Sequence, residues 1–344
     1  MRGRWLIWFF WVAVMLLVLT RFASLRDLAA ALQQAKWSWL SLAALLHLFY
    51  LYVYAVLYKV GFGTVEVECH LGEFFPVYLA SNVANALAPS GGAAATALFV
   101  TDARQRGQSG MRTTLGVILV TVADMVSLVP FLVAGIAFLA GRHLVKSYEV
   151  LGACCFLCFI AVLTAALLLA RLSARRLERL LGWIARATNA MMRRLRRREL
   201  SPDWSARTAE QAAGAAAAIV ASPRRVLLAV LLALVLQVTN LLMLALIFVA
   251  FDQPLDLGAL VAGYGLGIVF FVVSFVPQGI AFVEGMMAIV FTSLGYPGQK
   301  VAAIVLAFRG LNYWLPLVVG LVFVRRLSGR RAEPDEVRQR TAAR

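Results

Sequence analysis

Apolar runs of roughly 20 residues, the length of a membrane-crossing helix, recur along most of the chain between short clusters of Arg, Asp and turn residues. Full spans are expected near 4–21, 37–57, 113–140, 149–170, 225–250 and 300–324. Two further apolar stretches, 74–100 and 257–295, are interrupted, the first at Pro89-Ser90-Gly91-Gly92 and the second at Pro277-Gln278-Gly279. Proline removes a backbone donor and glycine frees the backbone, so each stretch reads as two short helices joined by a turn. Irregular backbone at membrane depth is tolerated only where protein buries it or water reaches it. Pro89, Gly91, Gly92, Pro277 and Gly279 are therefore the expected breaks of two re-entrant helical hairpins.

Charge placement orients these spans. The segment 171–225 holds thirteen Arg against four acidic residues, and 325–344 holds seven Arg against three. Both are expected on the cytoplasmic side, as is 101–112 with Arg104, Arg106 and Arg112, while 252–256 with Asp252 and Asp256 faces out. The N-terminus is read as cytoplasmic, with a retained first helix in place of a cleaved signal peptide. The result is span, hairpin, span in each half, in opposite orientation. Interrupted segments in corresponding places are the sequence mark of a transporter built from inverted repeats. The expected divisions are 1–170 and 225–325 as membrane halves, 171–224 as a cytoplasmic basic segment and 326–344 as a basic cytoplasmic tail. Within 171–198, Leu177, Leu181, Ile184, Met191 and Leu195 form one stripe among many Arg, an amphipathic helix suited to the inner headgroup layer. The Ala-rich piece 205–221 reads as a helix without chemistry.

Composition excludes most other classes. Of 344 residues, 62% are apolar and 15% charged, far from the roughly 45–50% and 25% of soluble domains. A soluble enzyme, a disordered chain and a disulfide-knit secreted domain are ruled out, leaving an all-α polytopic membrane protein. The net charge of +16 follows the span flanks, as topology demands, and nucleic acid is not an expected partner. Cys154, Cys155 and Cys158 are read as small hydrophobes packed in a helix; Cys69 stands alone, and no metal-ligand spacing occurs. Gly263-Tyr264-Gly265-Leu266-Gly267 reads as a small-residue packing face.

Ionisable groups inside spans are costly, so each marks candidate chemistry. Asp124 sits near the middle of 113–140, Glu284 follows the second break, and Arg309 lies in the last span with Asn312 one turn on. Arg309 offers a planar fork to a phosphate. Asp124 and Glu284 would balance it or hold a cationic headgroup, with Gln278 and Asn85 lining the same polar cavity. The short helices after Pro89 and Pro277 would present N–H groups to an anion. The competing reading is purely structural: Arg309 neutralised by Asp124 or Glu284. His47, Asn82, Gln237 and Asn240 are expected to make interhelical hydrogen bonds. With three His and no nucleophile, phosphate-loop or dinucleotide motif, no catalytic residue, metal or cofactor is expected. An embedded enzyme using Asp124 and Glu284 as acid and base is a minor alternative.

Three stretches carry a family likeness. They are Ser81-Asn82 through Asn85-Ala86-Leu87-Ala88-Pro89-Ser90-Gly91-Gly92 followed by Asp124, Ser274 through Gly285 with Pro277-Gln278-Gly279 and Glu284, and Phe308-Arg309-Gly310-Leu311-Asn312-Tyr313-Trp314-Leu315-Pro316. In these the chain resembles the lysylphosphatidylglycerol synthase transmembrane-region family over roughly 5–325. Thr121-Val122-Ala123 stand where members often carry Glu-Arg ahead of the Asp, and Ala93-Ala94-Ala95-Thr96 stand where many carry an acid. Bifunctional members append an aminoacyl-transferase domain; with none expected here, the resemblance implies the other half of that function, moving a lipid between leaflets of an inner membrane. The expected partners are anionic or zwitterionic membrane lipids. Two other readings stay open: a non-catalytic membrane partner of a lipid- or envelope-synthesising enzyme, and a small-solute secondary transporter.

Overall fold

The computed structural model describes residues 35–87, 92–172, 204–273, 279 and 282–322, together with Arg179, Gly182, Trp183, Arg186 and Asn189. The expected first span at 4–21, most of the basic helix 171–198, the tail 326–344 and the residues Pro89, Gly91, Pro277 and Gln278 lie outside the described residues. Ten helices are described: α1 Trp37–Thr64, α2 Leu71–Leu87, α3 Ala93–Gln105, α4 Gly110–Gly141, α5 Ser147–Leu172, α6 Trp204–Ala221, α7 Pro223–Ala250, α8 Leu257–Val273, α9 Phe282–Ser293 and α10 Gly298–Val322. No strand occurs among the described residues. Five helices (α1, α4, α7, α10 and residues Ser147–Leu168 of α5) are long and apolar enough to cross a membrane. The chain is an all-α polytopic membrane protein.

Several helices run past the apolar runs that announce them. Helix α1 continues to Thr64, seven residues beyond the expected span, because its carbonyls near Phe62 and Gly63 still find backbone donors at Val65 and Glu66. Helix α4 starts at Gly110, where the Ser109 hydroxyl accepts from the Arg112 N–H at 3.3 Å. Helix α7 opens on Pro223, whose missing donor costs nothing in a first turn.

Both interrupted stretches form hairpins that begin and end at the same end of the bundle. Arg106, just past α3, pairs with Glu73 in the first turn of α2 at 2.7 Å, and Gln108 donates to the Glu68 carbonyl at 3.2 Å. At the opposite end, the loop before α8 meets the loop after α9 where the Tyr296 hydroxyl donates to the Pro254 carbonyl at 3.1 Å. With 17, 13, 17 and 12 residues, the arms reach roughly 18–25 Å, short of a full crossing. Gly92 adopts φ 91° at the start of α3, in the left-handed region that side chains other than glycine resist.

Helices α1 and α7 pack along their whole length and run antiparallel. The Lys36 N–H donates to the Ala250 carbonyl at 2.8 Å at one end, and the Arg225 guanidinium donates to the Gly63 carbonyl at 2.5 Å at the other. The remaining contacts repeat around this seam. Helix α4 packs on α1, α3 and α7; α10 packs on α7, α9 and α1. Gly135 of α4 abuts Val261 and Ala262 of α8, and Gly320 of α10 abuts Leu79 and Val83 of α2. Exchanging α1–α4 for α7–α10 therefore preserves the contact pattern while reversing helix direction, as an inverted repeat requires. Helices α5 and α6 stand outside this symmetry, α6 laying Ala209, Ala212, Ala215 and Ala216 into the core.

Ion pairs fasten the ends: Lys36–Asp252 and Arg142–Asp256 at one, Glu66–Arg112 and Arg106 with both Glu73 and Asp102 at the other. The small-residue face of α8 packs as expected, Gly263 against Phe291 and Gly267 against Met287. The cysteines of α5 do not pack inward. Cys154, Cys155 and Cys158 are exposed on its outer face, because α5 is covered on one side only.

Cys69 lies beside a cavity of about 10 Å³ that Glu68, Phe74, Asp102, Arg106 and Gln108 help to line. Burial pushes its thiol up to about 11, against the pull of the neighbouring Arg106. Near pH 7 only about one thiol in 10⁴ is then ionised, against a few per cent for a free cysteine. Alkylation of Cys69 by a soluble maleimide is expected to run about two orders of magnitude below a peptide thiol and to accelerate with pH up to about 11. Labelling rates followed by mass spectrometry check this, and a rate already levelling off near pH 8 would contradict it.

Candidate functional site

The middle of the bundle holds two polar centres. Asp124 lies fourteen residues into α4, and Arg309 lies eleven residues into α10, which enters from the opposite end. At ~1.5 Å per residue both come to rest near mid-depth. Each also precedes by eleven residues the glycine at which its helix crosses the other half's hairpin, Gly135 and Gly320. The repeat thus places an acid and a base at matching positions.

Around Asp124 the contacts are neutral. The Tyr54 hydroxyl of α1 donates to Oδ2 at 3.2 Å, and Gln237 Nε2 of α7 donates to Oδ1 at 3.1 Å. The same amide reaches the Asp124 carbonyl at 3.1 Å and Ser127 Oγ at 3.2 Å, and Ser127 Oγ donates to the Asp124 carbonyl at 2.7 Å. Tyr264 of α8 donates to Gln237 Oε1, which fixes the direction of the amide. Gln237 thus ties α7 to both α4 and α8, the interhelical role expected of it.

Arg309 pairs with Glu284, Nε to Oε1 at 2.7 Å, with side chains 12% and 24% exposed. Glu284 stands in the first turn of α9, where the positive end of the helix dipole favours a carboxylate. Its Oε2 is buried and accepts no hydrogen bond from the described residues. The α-helix of α10 gives way after Arg309 to a π turn over Gly310–Trp314 and resumes at Leu315. Such turns widen a helix by one residue and gather at functional positions. The guanidinium carbon lies 5.9 Å from the Tyr313 ring centre.

Asp124 has no ion-pair partner among the described residues, whereas Arg309 pairs with Glu284. Asn85 faces its own hairpin: Oδ1 accepts from the Ala95 N–H at 3.2 Å, taking up a donor of the α3 N-terminus that was expected to meet an anion. Asn312 and Asn82 donate to carbonyls one turn back, Phe308 at 3.2 Å and Tyr78 at 3.3 Å. Gly279 is buried with φ 61°.

The hydrogen-bonding role expected of His47 is not found. It is 1% exposed, stacks on Tyr50 at 5.2 Å between ring centres, and neither ring nitrogen has a partner among the described residues. Asn240 Oδ1 is also buried without one. Unnoticed in the sequence is a ladder of Tyr50, Tyr54, Tyr58 and Phe62 on one face of α1. It meets Tyr78 and Phe74 of α2 and Phe99 of α3, with ring centres 4.9–6.0 Å apart. The i+4 spacing was the available signal, hidden because tyrosine blends into an apolar run.

A search of curated proteins finds no match. The family described as the lysylphosphatidylglycerol synthase TM region matches residues 5–320, nearly the whole chain. With its paired hairpins and its intramembrane Arg309–Glu284 pair, the chain belongs to this family of membrane proteins tied to lipid metabolism.

Proposed function

We propose that the protein moves a phospholipid or a related amphiphile between the two leaflets of the membrane, with Arg309 taking the lipid phosphate. The observation that carries this reading is the Arg309–Glu284 pair: at mid-depth, partly accessible, and mounted on a broken hairpin and a π turn. A guanidinium is a planar fork of the kind that suits a phosphate, and Glu284 Oε2 accepts no hydrogen bond from the described residues. Alternating release of the ion pairs at the two ends would open the site first to one leaflet and then to the other. By the distribution of Arg, the Arg112 end faces the cytoplasm and the Asp252 end faces out.

The test is leaflet exchange in proteoliposomes carrying headgroup-labelled lipids, with the outer leaflet quenched by an impermeant reductant. Wild-type protein is expected to expose the protected half of the signal selectively by headgroup. Arg309→Lys, which keeps the charge but loses the fork, is expected to slow exchange by roughly 10–100-fold, the worth of one charge-assisted hydrogen bond. Protection retained for every lipid by folded wild-type protein, with and without a proton gradient, overturns the proposal. Co-purification of a lipid-synthesising enzyme with such inactive protein would favour the partner reading.

A further inference from the structure

We propose that Asp124 is a reversible proton-binding site, built to hold its carboxyl group in either protonation state at the centre of the inverted repeat. Its geometry is that of a group which gains and loses charge without gaining or losing hydrogen bonds. Both carboxyl oxygens face neutral donors, Tyr54 at 3.2 Å and Gln237 at 3.1 Å. When a hydronium ion gives its proton to Oδ2 and leaves as water, the Tyr54 hydroxyl turns from donor to acceptor, since a phenol can do either. Gln237 keeps donating to Oδ1, because Tyr264 holds its carbonyl end in place. The carboxylate becomes a carboxylic acid that keeps both hydrogen-bond partners, and the Tyr54 hydrogen swings away from it.

Among the described residues no fixed countercharge is paired with Asp124. From the packed elements, the titratable groups facing Asp124 are Tyr50, Tyr54 and Tyr58 of α1, Tyr78 of α2 and Tyr264 of α8. Helix α7 contributes the amide of Gln237. No Lys, Arg or His among the described residues forms an ion pair with it, in contrast to Glu284 with Arg309. Ionisable residues inside membrane spans mark functional sites, proton relays among them. A metal ion is disfavoured: donors already occupy both carboxyl oxygens, and no three His, Cys, Asp or Glu converge among the described residues.

A second observation points the same way. The antiparallel seam, with Lys36 against Ala250 and Arg225 against Gly63, brings His47 level with Asn240. His47, 1% exposed, and Asn240, 7% exposed, hold polar atoms without partners among the described residues. Buried orphans of this kind call for a water or a proton. His47 stacks on Tyr50, and Tyr50 meets Tyr54 with ring centres 5.6 Å apart, so an unsatisfied imidazole stands beside the ring that neighbours the Asp124 donor.

Any coupling of this proton to lipid movement rests on the proposed translocation; the binding of the proton does not. The test is infrared spectroscopy of the full chain in lipid nanodiscs, titrated over the pH range in which it stays folded. A protonated-carboxyl C=O band is expected to appear reversibly as pH falls. It should vanish in Asp124→Asn, shift in frequency in Asp124→Glu and survive in Glu284→Gln. Isotope-labelled aspartate in the wild type gives the same assignment should Asp124→Asn fail to fold. The proposal is overturned by absence of the band at every pH, by a band that never titrates, by its persistence in Asp124→Asn, or by a midpoint that follows sodium concentration. A titrating Asp124 band without leaflet exchange would refute translocation alone, and exchange without the band would refute the proton site alone.

Discussion

Glu284→Ala will destabilise the folded protein by about 3 kcal/mol, the low end of what removing one partner of a buried ion pair costs. The reason is what remains. Arg309 is 12% exposed and cannot shed its proton at any pH the protein meets. Without Glu284 its charge stays at mid-depth with its 2.7 Å partner gone. The double variant Glu284→Leu with Arg309→Met removes both charges and is expected to recover most of the loss, because the desolvation cost goes with the attraction. Thermal unfolding in detergent micelles of fixed composition separates these outcomes. A double variant as unstable as the single one would mean that the pair positions the hairpin through its shape and not its charge. The same double variant should be inactive in leaflet exchange whatever its stability, which divides the fold's use of the pair from the function proposed for it.

That this pair would meet was only half legible in the sequence. Three charged residues in apolar runs, Asp124, Glu284 and Arg309, stand out because insertion penalises each of them. Which charge finds which depends on depth and helix direction, and neither is local. Arg309 descends from one end and Glu284 starts a half-length helix whose first turn lies at the hairpin tip, so the two coincide. Asp124 reaches similar depth from the opposite end and meets the seam between α1 and α7 instead. The five described spans and the interruption of each hairpin could be read directly, since hydropathy reports them. Helix ends could not, because α1 and α4 run on through Lys59 and Arg112, where hydropathy stops but backbone hydrogen bonding does not. His47 fell on the wrong side of a general rule: a polar residue in a span usually finds a partner across an interface, and this one stacks on a ring.

Gly135→Val and Gly320→Val are each expected to cost about 3 kcal/mol, the upper end of the usual overpacking penalty. A Cβ at Gly135 would sit 2.8 Å from Ala262 Cα, and one at Gly320 would sit 2.6 Å from both the Leu79 carbonyl oxygen and Val83 Cγ2. Backbone atoms cannot turn aside as a side chain does, so the helices themselves must separate. Close approach through small residues is what drives helix association in lipid, where burial of apolar surface brings no gain. Gly285→Ala is the control: nothing lies within 4 Å of the added carbon, and removing a glycine from a helix stabilises it by up to about 1 kcal/mol. The two valine variants touch different helix pairs, so their costs should add. Because each glycine fastens the fourth helix of one half to the hairpin of the other, both variants should also slow lipid exchange, though neither residue contacts Arg309 or Glu284. Thermal midpoints for the four proteins decide the matter. If Gly135→Val unfolds no earlier than Gly285→Ala, the seam between α1 and α7 holds the halves together alone, and the matching glycines have no part in joining them.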